Sequence, residues 1–112
     1  MNYTQEMEQA QLFYNENVSI LISKANDYAK QGDCFSNFKF IAQVCQIPIE
    51  KTFLQFIAVK LARLTELMGG KVEHNESIDD TLRDLCNYTC LLYLWRKSER
   101  EYGPASIRGI KK

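Results

Sequence analysis

Apolar residues recur at threes and fours along most of this chain, and nowhere in the strict alternation of a strand. Met7, Ala10, Tyr14, Val18, Leu21, Ala25 and Tyr28 share one helical face and predict a first helix over residues 4–29. Asn15 and Asn17 weaken its middle and predict a bend there. Gly32 and Asp33 punctuate its end. A shorter helix over 36–45 follows from Phe38, Ile41, Ala42 and Cys45. Pro48 stops the chain and precedes a third helix over 50–68, with Phe53, Ile57, Leu61, Leu64 and Met68 as its stripe and Gly69–Gly70 as its stop. A short polar loop over 70–75 leads to Ser77, which with Asp80 resembles a capping box and opens a fourth helix reaching residue 101. Gly103–Pro104 ends it, and a loose tail carries two terminal lysines. The expectation is one all-α domain over 1–101, most simply a compact four-helix arrangement, with a flexible tail over 102–112.

Length and composition agree with that picture. A chain of 112 residues with 46% apolar residues makes one domain with a core. Fourteen basic and fourteen acidic residues cancel, which argues against a dedicated nucleic-acid binder, because such a protein needs a basic surplus for phosphate. Cys34, Cys45, Cys86 and Cys90 form no CxxC pair and His74 is the single histidine, so the cysteines read as small apolar residues in a reducing cytosol rather than zinc ligands. The polar start MNYTQEMEQA lacks the apolar stretch of a signal peptide, and no run has the length of a membrane span. A soluble, cytoplasmic protein is expected.

Within the fourth helix one face breaks the pattern. Asp80, Asp84 and Asn87 share it with Leu91, Leu94 and Trp95. A solvated face does not end in leucine and tryptophan, so these carboxylates suggest the mouth of a pocket and, as a pair, a divalent metal. Asp80 has a competing reading as a first-turn cap, as do Glu76 and Asp79. Asp84 lies beyond the first turn, and its competing reading is an ion pair with a residue such as Arg63 or Arg83. On the third helix Lys60 interrupts the apolar stripe, with Arg63 beside it. Lys60 either snorkels to water, pairs with Asp84 or meets a phosphate. A third segment, KANDYAKQGDCFSNF over 24–38, carries Asp27 and Tyr28 at a helix end and Asp33 and Phe35 after the turn. An aspartate at a helix C-terminus opposes the dipole and asks for a basic partner or a metal. The segment's asparagines and aromatics suit a wall against a nucleobase, while core packing is the ordinary role of its phenylalanines. P-loop, GxGxxG, GxSxG and HExxH motifs are missing from the chain.

In order, the Asn26–Asp27–Tyr28 to Asp33-x-Phe35 segment, KLARL over 60–64 and ESIDDTLRDLCNY over 76–88 resemble the nucleotide-modification-associated domain family of phage-associated all-α proteins. The resemblance spans residues 24–95, and DTLRDLCNY over 80–88 is its most specific part. The chain is also similar in layout to MazG-like nucleotide pyrophosphohydrolases, helical proteins that hold magnesium with carboxylates from two helices. Their EExxE is missing here, their ExxD reads Thr81-x-x-Asp84, and the glycine of the family's DYG is Ala29. These departures move the expectation from turnover toward nucleotide binding.

The resemblance implies a phage-type, magnesium-dependent protein that binds or hydrolyses a nucleoside triphosphate. Asp80 and Asp84 would hold the metal with Asp27 or Glu66 and serve as the catalytic carboxylates. Lys60 and Arg63 would meet phosphate, and Asp27, Tyr28, Asn87 and Tyr88 would orient the ligand. The alternative is a non-enzymatic phage protein that sequesters a nucleotide or a host protein. The fourth helix is apolar around most of its circumference, which predicts a homo-oligomer buried near Leu91, Leu94 and Trp95.

Overall fold

Side-chain and glycine chemistry at the ends of four helices sets their bounds. The computed structural model describes residues 1–28, 33–70 and 77–103, without the side chains of residues 25–28 and 102. The helices are α1 (Tyr3–Tyr28), α2 (Ser36–Cys45), α3 (Ile49–Met68) and α4 (Ile78–Tyr102), and the described residues contain no strand. Of the tail expected over 102–112, residues 104–112 lie outside the described residues, as do residues 71–76, with His74 and Glu76, and α4 reaches Tyr102.

At the start of α1 the Asn2 side-chain oxygen accepts from the Gln5 N–H at 2.9 Å, and the Gln5 side-chain oxygen accepts from the Asn2 N–H at 3.0 Å. Two otherwise orphaned donors are satisfied reciprocally. The Ser77 hydroxyl accepts from the Asp80 N–H at 3.0 Å, which is the expected opening of α4. Gly69 donates to the Thr65 carbonyl at the end of α3, and Gly70 follows with φ 98°, a conformation that glycine adopts without strain. Gln46 closes α2 with φ 55°, and Ile47 N–H reaches back to the Ala42 carbonyl at 3.1 Å before Pro48 leads into α3.

Helices α3 and α4 form an antiparallel pair. Glu50 at the start of α3 meets Arg96 near the end of α4 at 3.3 Å, and Lys60 further along α3 meets Asp84 nearer the start of α4 at 2.8 Å. Helix α2 lies on α3, and α1 lies on α4. The core is Phe38 from α2, Phe53 from α3, and Leu91 and Trp95 from α4, with Phe35, Phe56, Tyr88 and Leu21 packed against them. Its centre is a stack of Phe38 on Phe53, with ring centroids 4.2 Å apart and planes at 19°. Phe35 meets Trp95 edge-to-face at 5.3 Å.

The helices lie where the periodicity places them, but two are turned differently. On α1, Met7, Tyr14 and Val18 of the expected stripe are exposed, and the buried residue is Asn17. Helix α1 runs unbroken through Asn15 and Asn17. Its orientation follows its charges: Glu16 meets Arg83 at 3.2 Å and Lys24 reaches Asp84 at 3.9 Å, so the face that includes Phe13, Asn17, Leu21 and Lys24 turns toward α4. On α3, the buried residues are Thr52, Phe53 and Leu67, while Leu61 and Met68 of the expected stripe face solvent. Of the three α4 residues near which intermolecular burial is expected, Leu91 and Trp95 are buried in the chain's own core and Leu94 is exposed.

Asn17 is 2% exposed, and neither its amide oxygen nor its amide nitrogen has a hydrogen-bond partner. A buried amide left unpaired costs about 1–3 kcal/mol. Asn17→Leu keeps a similar volume, removes the penalty and improves helix propensity. Urea denaturation of the variant is expected to show a gain of about 1–2 kcal/mol; a loss of stability would mean that the amide is satisfied in solution.

Candidate functional site

One cavity of about 290 Å³ opens where α1, α2 and α4 converge over α3. Its walls follow from the core beneath it. Phe38, Phe56 and Tyr88 extend the aromatic stack outward, with Phe56 and Tyr88 parallel within 22° at 5.2 Å and Phe38 edge-on to both. Leu21 and Leu91 complete the apolar part. Polar groups sit on the other side: Lys24 from α1, Ser36 and Asn37 from the first turn of α2, and Asp84 and Asn87 from α4. The first turn of α2 is held by Asp33, whose carboxylate accepts from the Phe35 N–H at 2.9 Å and from Lys39 at 2.6 Å.

Asp84 organises the charged edge. One of its oxygens lies 2.8 Å from the Lys60 ammonium, and the other lies 3.9 Å from Lys24. Lys60 and Asp84 are both largely covered, whereas Lys24 is mostly exposed. Two ammoniums meet this carboxylate, and Lys24 is the more exposed of them. Of the readings open for Lys60 and Asp84 in the sequence, the structure shows the ion pair.

Several other expected site residues stand elsewhere. Asp80 is 61% exposed, pairs with Arg83 at 3.5 Å, follows Ser77 in the cap, and does not line the cavity. Arg63 is half-buried and Glu66 exposed on α3, and neither lines the cavity. Asn87 and Tyr88 do line it. The side chains of Asp27 and Tyr28 lie outside the described residues. Sequence reasoning passed over Lys24, Ser36 and Asn37. The 24–38 segment was the right region, but an exposed lysine and two small polar residues carry no pattern of their own.

Magnesium asks for several oxygen ligands, usually one or two carboxylates with water and phosphate. Among the described residues no group of three or more histidine, cysteine, aspartate or glutamate side chains could hold a metal. Asp84 is engaged by ammoniums and Asp80 by a guanidinium. Glu66 stands away from the cavity, and the Asp27 side chain lies outside the described residues.

All four cysteines are free, and Cys34 lines the cavity. Burial, followed by the Asp33 carboxylate, pushes the Cys34 thiol above its ordinary value, and burial followed by Cys86 does the same to Cys90. Both shifts favour the protonated thiol over the thiolate.

Comparison with known protein families, with curated proteins and with solved structures returned no match. Among the described residues no helix is long and apolar enough to cross a membrane.

The Lys60–Asp84 pair has a measurable consequence. In a double-mutant cycle of Lys60→Met and Asp84→Asn, the coupling is expected at about 1–2 kcal/mol, above the range of exposed pairs and below that of fully buried ones. Coupling near zero would reduce the pair to an ordinary surface contact. The thiols add a pH dependence. An acid whose pKa is raised on folding is no burden while both states are protonated, and costs stability once the unfolded thiol ionises. Stability is therefore expected to fall as pH rises through 9.0, the ordinary thiol value. Cys34→Ser/Cys90→Ser should flatten that part of the profile; an unchanged slope would assign it to other groups.

Proposed function

We propose that this protein binds a small planar ligand carrying an anionic group, a nucleotide being the class that suits the cavity best, and that it holds this ligand without turning it over. The arrangement of the walls carries the reading. The stacked rings of Phe56 and Tyr88, with Phe38 edge-on to both, give an apolar aromatic wall, the Asn37 and Asn87 amides supply both donors and acceptors, and Lys24 stands at the rim. Base stacking on aromatic rings is worth about 1–3 kcal/mol per base. A volume of 290 Å³ is at the small end for ligand sites. It suits a base inside with the phosphates outside, next to Lys24.

Binding is favoured over hydrolysis by the state of the carboxylates. A magnesium-dependent hydrolase needs them open toward metal, and here Asp84 neutralises Lys60 while the Asp80 carboxylate meets Arg83. In this reading Asp84 is a positioning residue: it holds Lys60 in place and sets the charge beneath Lys24. The phage-type setting suggested by the resemblance fits a protein that sequesters a nucleotide.

Thermal melting with a panel of ribo- and deoxynucleotides, with magnesium and with a chelator, tests the proposal. A ligand at about a hundred times its Kd stabilises the folded state by about 2.7 kcal/mol, a shift of several degrees for a chain this size. The shift is expected in the chelator as well as in magnesium. Lys24→Gln and Asn87→Leu should shrink it while changing the ligand-free Tm little. If no nucleotide shifts the Tm at millimolar concentration, the nucleotide reading fails, and a shift confined to magnesium returns the carboxylates to a metal role.

A further inference from the structure

Helix α1 stands apart from the body of the chain. Phe38, Phe53, Leu91 and Trp95 join α2, α3 and α4 in one buried cluster, and none of them comes from α1. On the face that α1 turns to α4, Phe13, Asn17, Leu21 and Lys24 follow one another at threes and fours. Phe13 lines a second cavity, of about 310 Å³, with Glu16 from α1 and Leu82 and Arg83 from α4. Leu21 and Lys24 line the aromatic cavity. Between the two sits Asn17, the one buried residue among the described side chains of α1. The contact of α1 with α4 thus has a cavity on either side of an unpaired amide. Space beside a side chain forfeits the dispersion contacts that would fill it. A buried amide without a partner favours the undocked state, in which water satisfies it.

The contacts that oppose undocking are slight. Leu21 packs against the core. Glu16 meets Arg83 at 3.2 Å and Lys24 reaches Asp84 at 3.9 Å, and Glu16 and Lys24 are both mostly exposed. Exposed pairs of this kind hold weakly.

We propose that α1 is a clamp over the aromatic cavity: it swings off α4 as a unit in the ligand-free chain and docks firmly when a ligand fills the space beneath it. The two walls of the cavity belong to different bodies. Phe38, Phe56 and Tyr88 stay with α2, α3 and α4, because their rings meet one another and Phe53. Leu21 and Lys24 move with α1. A ligand that touches both walls binds the docked arrangement alone and shifts the population toward it. The opening is a property of the chain by itself. The identity of the ligand that closes it rests on the nucleotide reading above.

Native-state hydrogen exchange of the full chain tests the clamp. A helix released from its partner frays, since an isolated helix is marginal in water. Without ligand, the amides of Phe13 to Lys24 are expected to be protected at least about tenfold less than those of Phe53 to Leu67 on α3, because α1 opens without global unfolding. Asn17→Leu should raise α1 protection about tenfold. Glu16→Gln, at an exposed position, should lower it about two- to fivefold. Cys34 reports on the cavity itself. Its reaction with N-ethylmaleimide, followed on its own peptide by mass spectrometry, should slow in Asn17→Leu and quicken in Glu16→Gln, although neither residue lines that cavity. Equal protection of α1 and α3 would overturn the proposal, as would Cys34 reactivity that ignores both variants. A nucleotide that raises the melting temperature should slow α1 exchange by the same factor as α3 exchange, and α1 exchange that it leaves untouched would also overturn the clamp. If no nucleotide raises the melting temperature, the nucleotide reading fails, while the clamp is still decided by ligand-free exchange and by Cys34.

Discussion

The stack of Phe38 on Phe53 is the contact on which the rest of this structure depends. Phe53 is fully buried, and its ring joins α2 to α3 directly and to α4 through Phe35 and Trp95. Aromatic pairs at such separations add about 0.5–1.5 kcal/mol beyond the area they bury. More important is what they position. Phe56 lies one turn after Phe53 on α3, and its ring carries the stack out to Tyr88, so the floor of the cavity is the outer end of the core. Lys60 follows one turn later and meets Asp84. Core, cavity wall and ion pair are successive turns of the same helix face.

That economy leaves the core thin. Among the described residues five apolar side chains are buried, Phe53 alone of them fully, and they offset little of the entropy of ordering the chain. Helix α1 contributes least, since its core contact is Leu21 and its one fully buried side chain is an unpaired asparagine. The polar pairs at Glu16 and Lys24 orient α1, but exposed ion pairs supply only a few tenths of a kcal/mol to about 1 kcal/mol each. Since Leu21 and Lys24 both line the cavity, a ligand bound there would fasten α1 to the rest of the chain. Cavity and stability are coupled through the least secured helix.

Helix positions were legible in the sequence because their ends are decided locally. Ser77 caps α4, Gly69–Gly70 stops α3, and Pro48 separates α2 from α3, all through contacts within a few residues. Helix rotation was legible only where one face was apolar. On α3 a stripe drawn through Ile57, Leu61 and Met68 is as good as one through Phe53 and Leu67, because a doubly apolar helix does not say which side meets its own core. On α1 long-range ion pairs chose the face, and no short-range periodicity encodes them. For the candidate site, Asn87, Tyr88 and the Lys60–Asp84 relation could be read from residues that broke an apolar pattern. Lys24 could not, because a lysine near a helix end breaks none.

The fate of the aspartates shows why a wrong-charge residue is only half a clue. Asp80 and Asp84 stand one turn apart on α4, and the helix gives them one face, yet they end in different chemistry. Asp80 sits at the helix start, where its N–H donates to Ser77 and its carboxylate meets Arg83, whereas Asp84 is carried past the cap to a level where α3 presents Lys60. A carboxylate facing an ammonium at 2.8 Å is already neutralised. For a hard cation to take that carboxylate it must displace Lys60, leaving a largely covered ammonium beside the metal, and like charges at that separation repel strongly in a low dielectric. The same ion pair that holds α3 to α4 therefore occupies the carboxylate at the edge of the cavity.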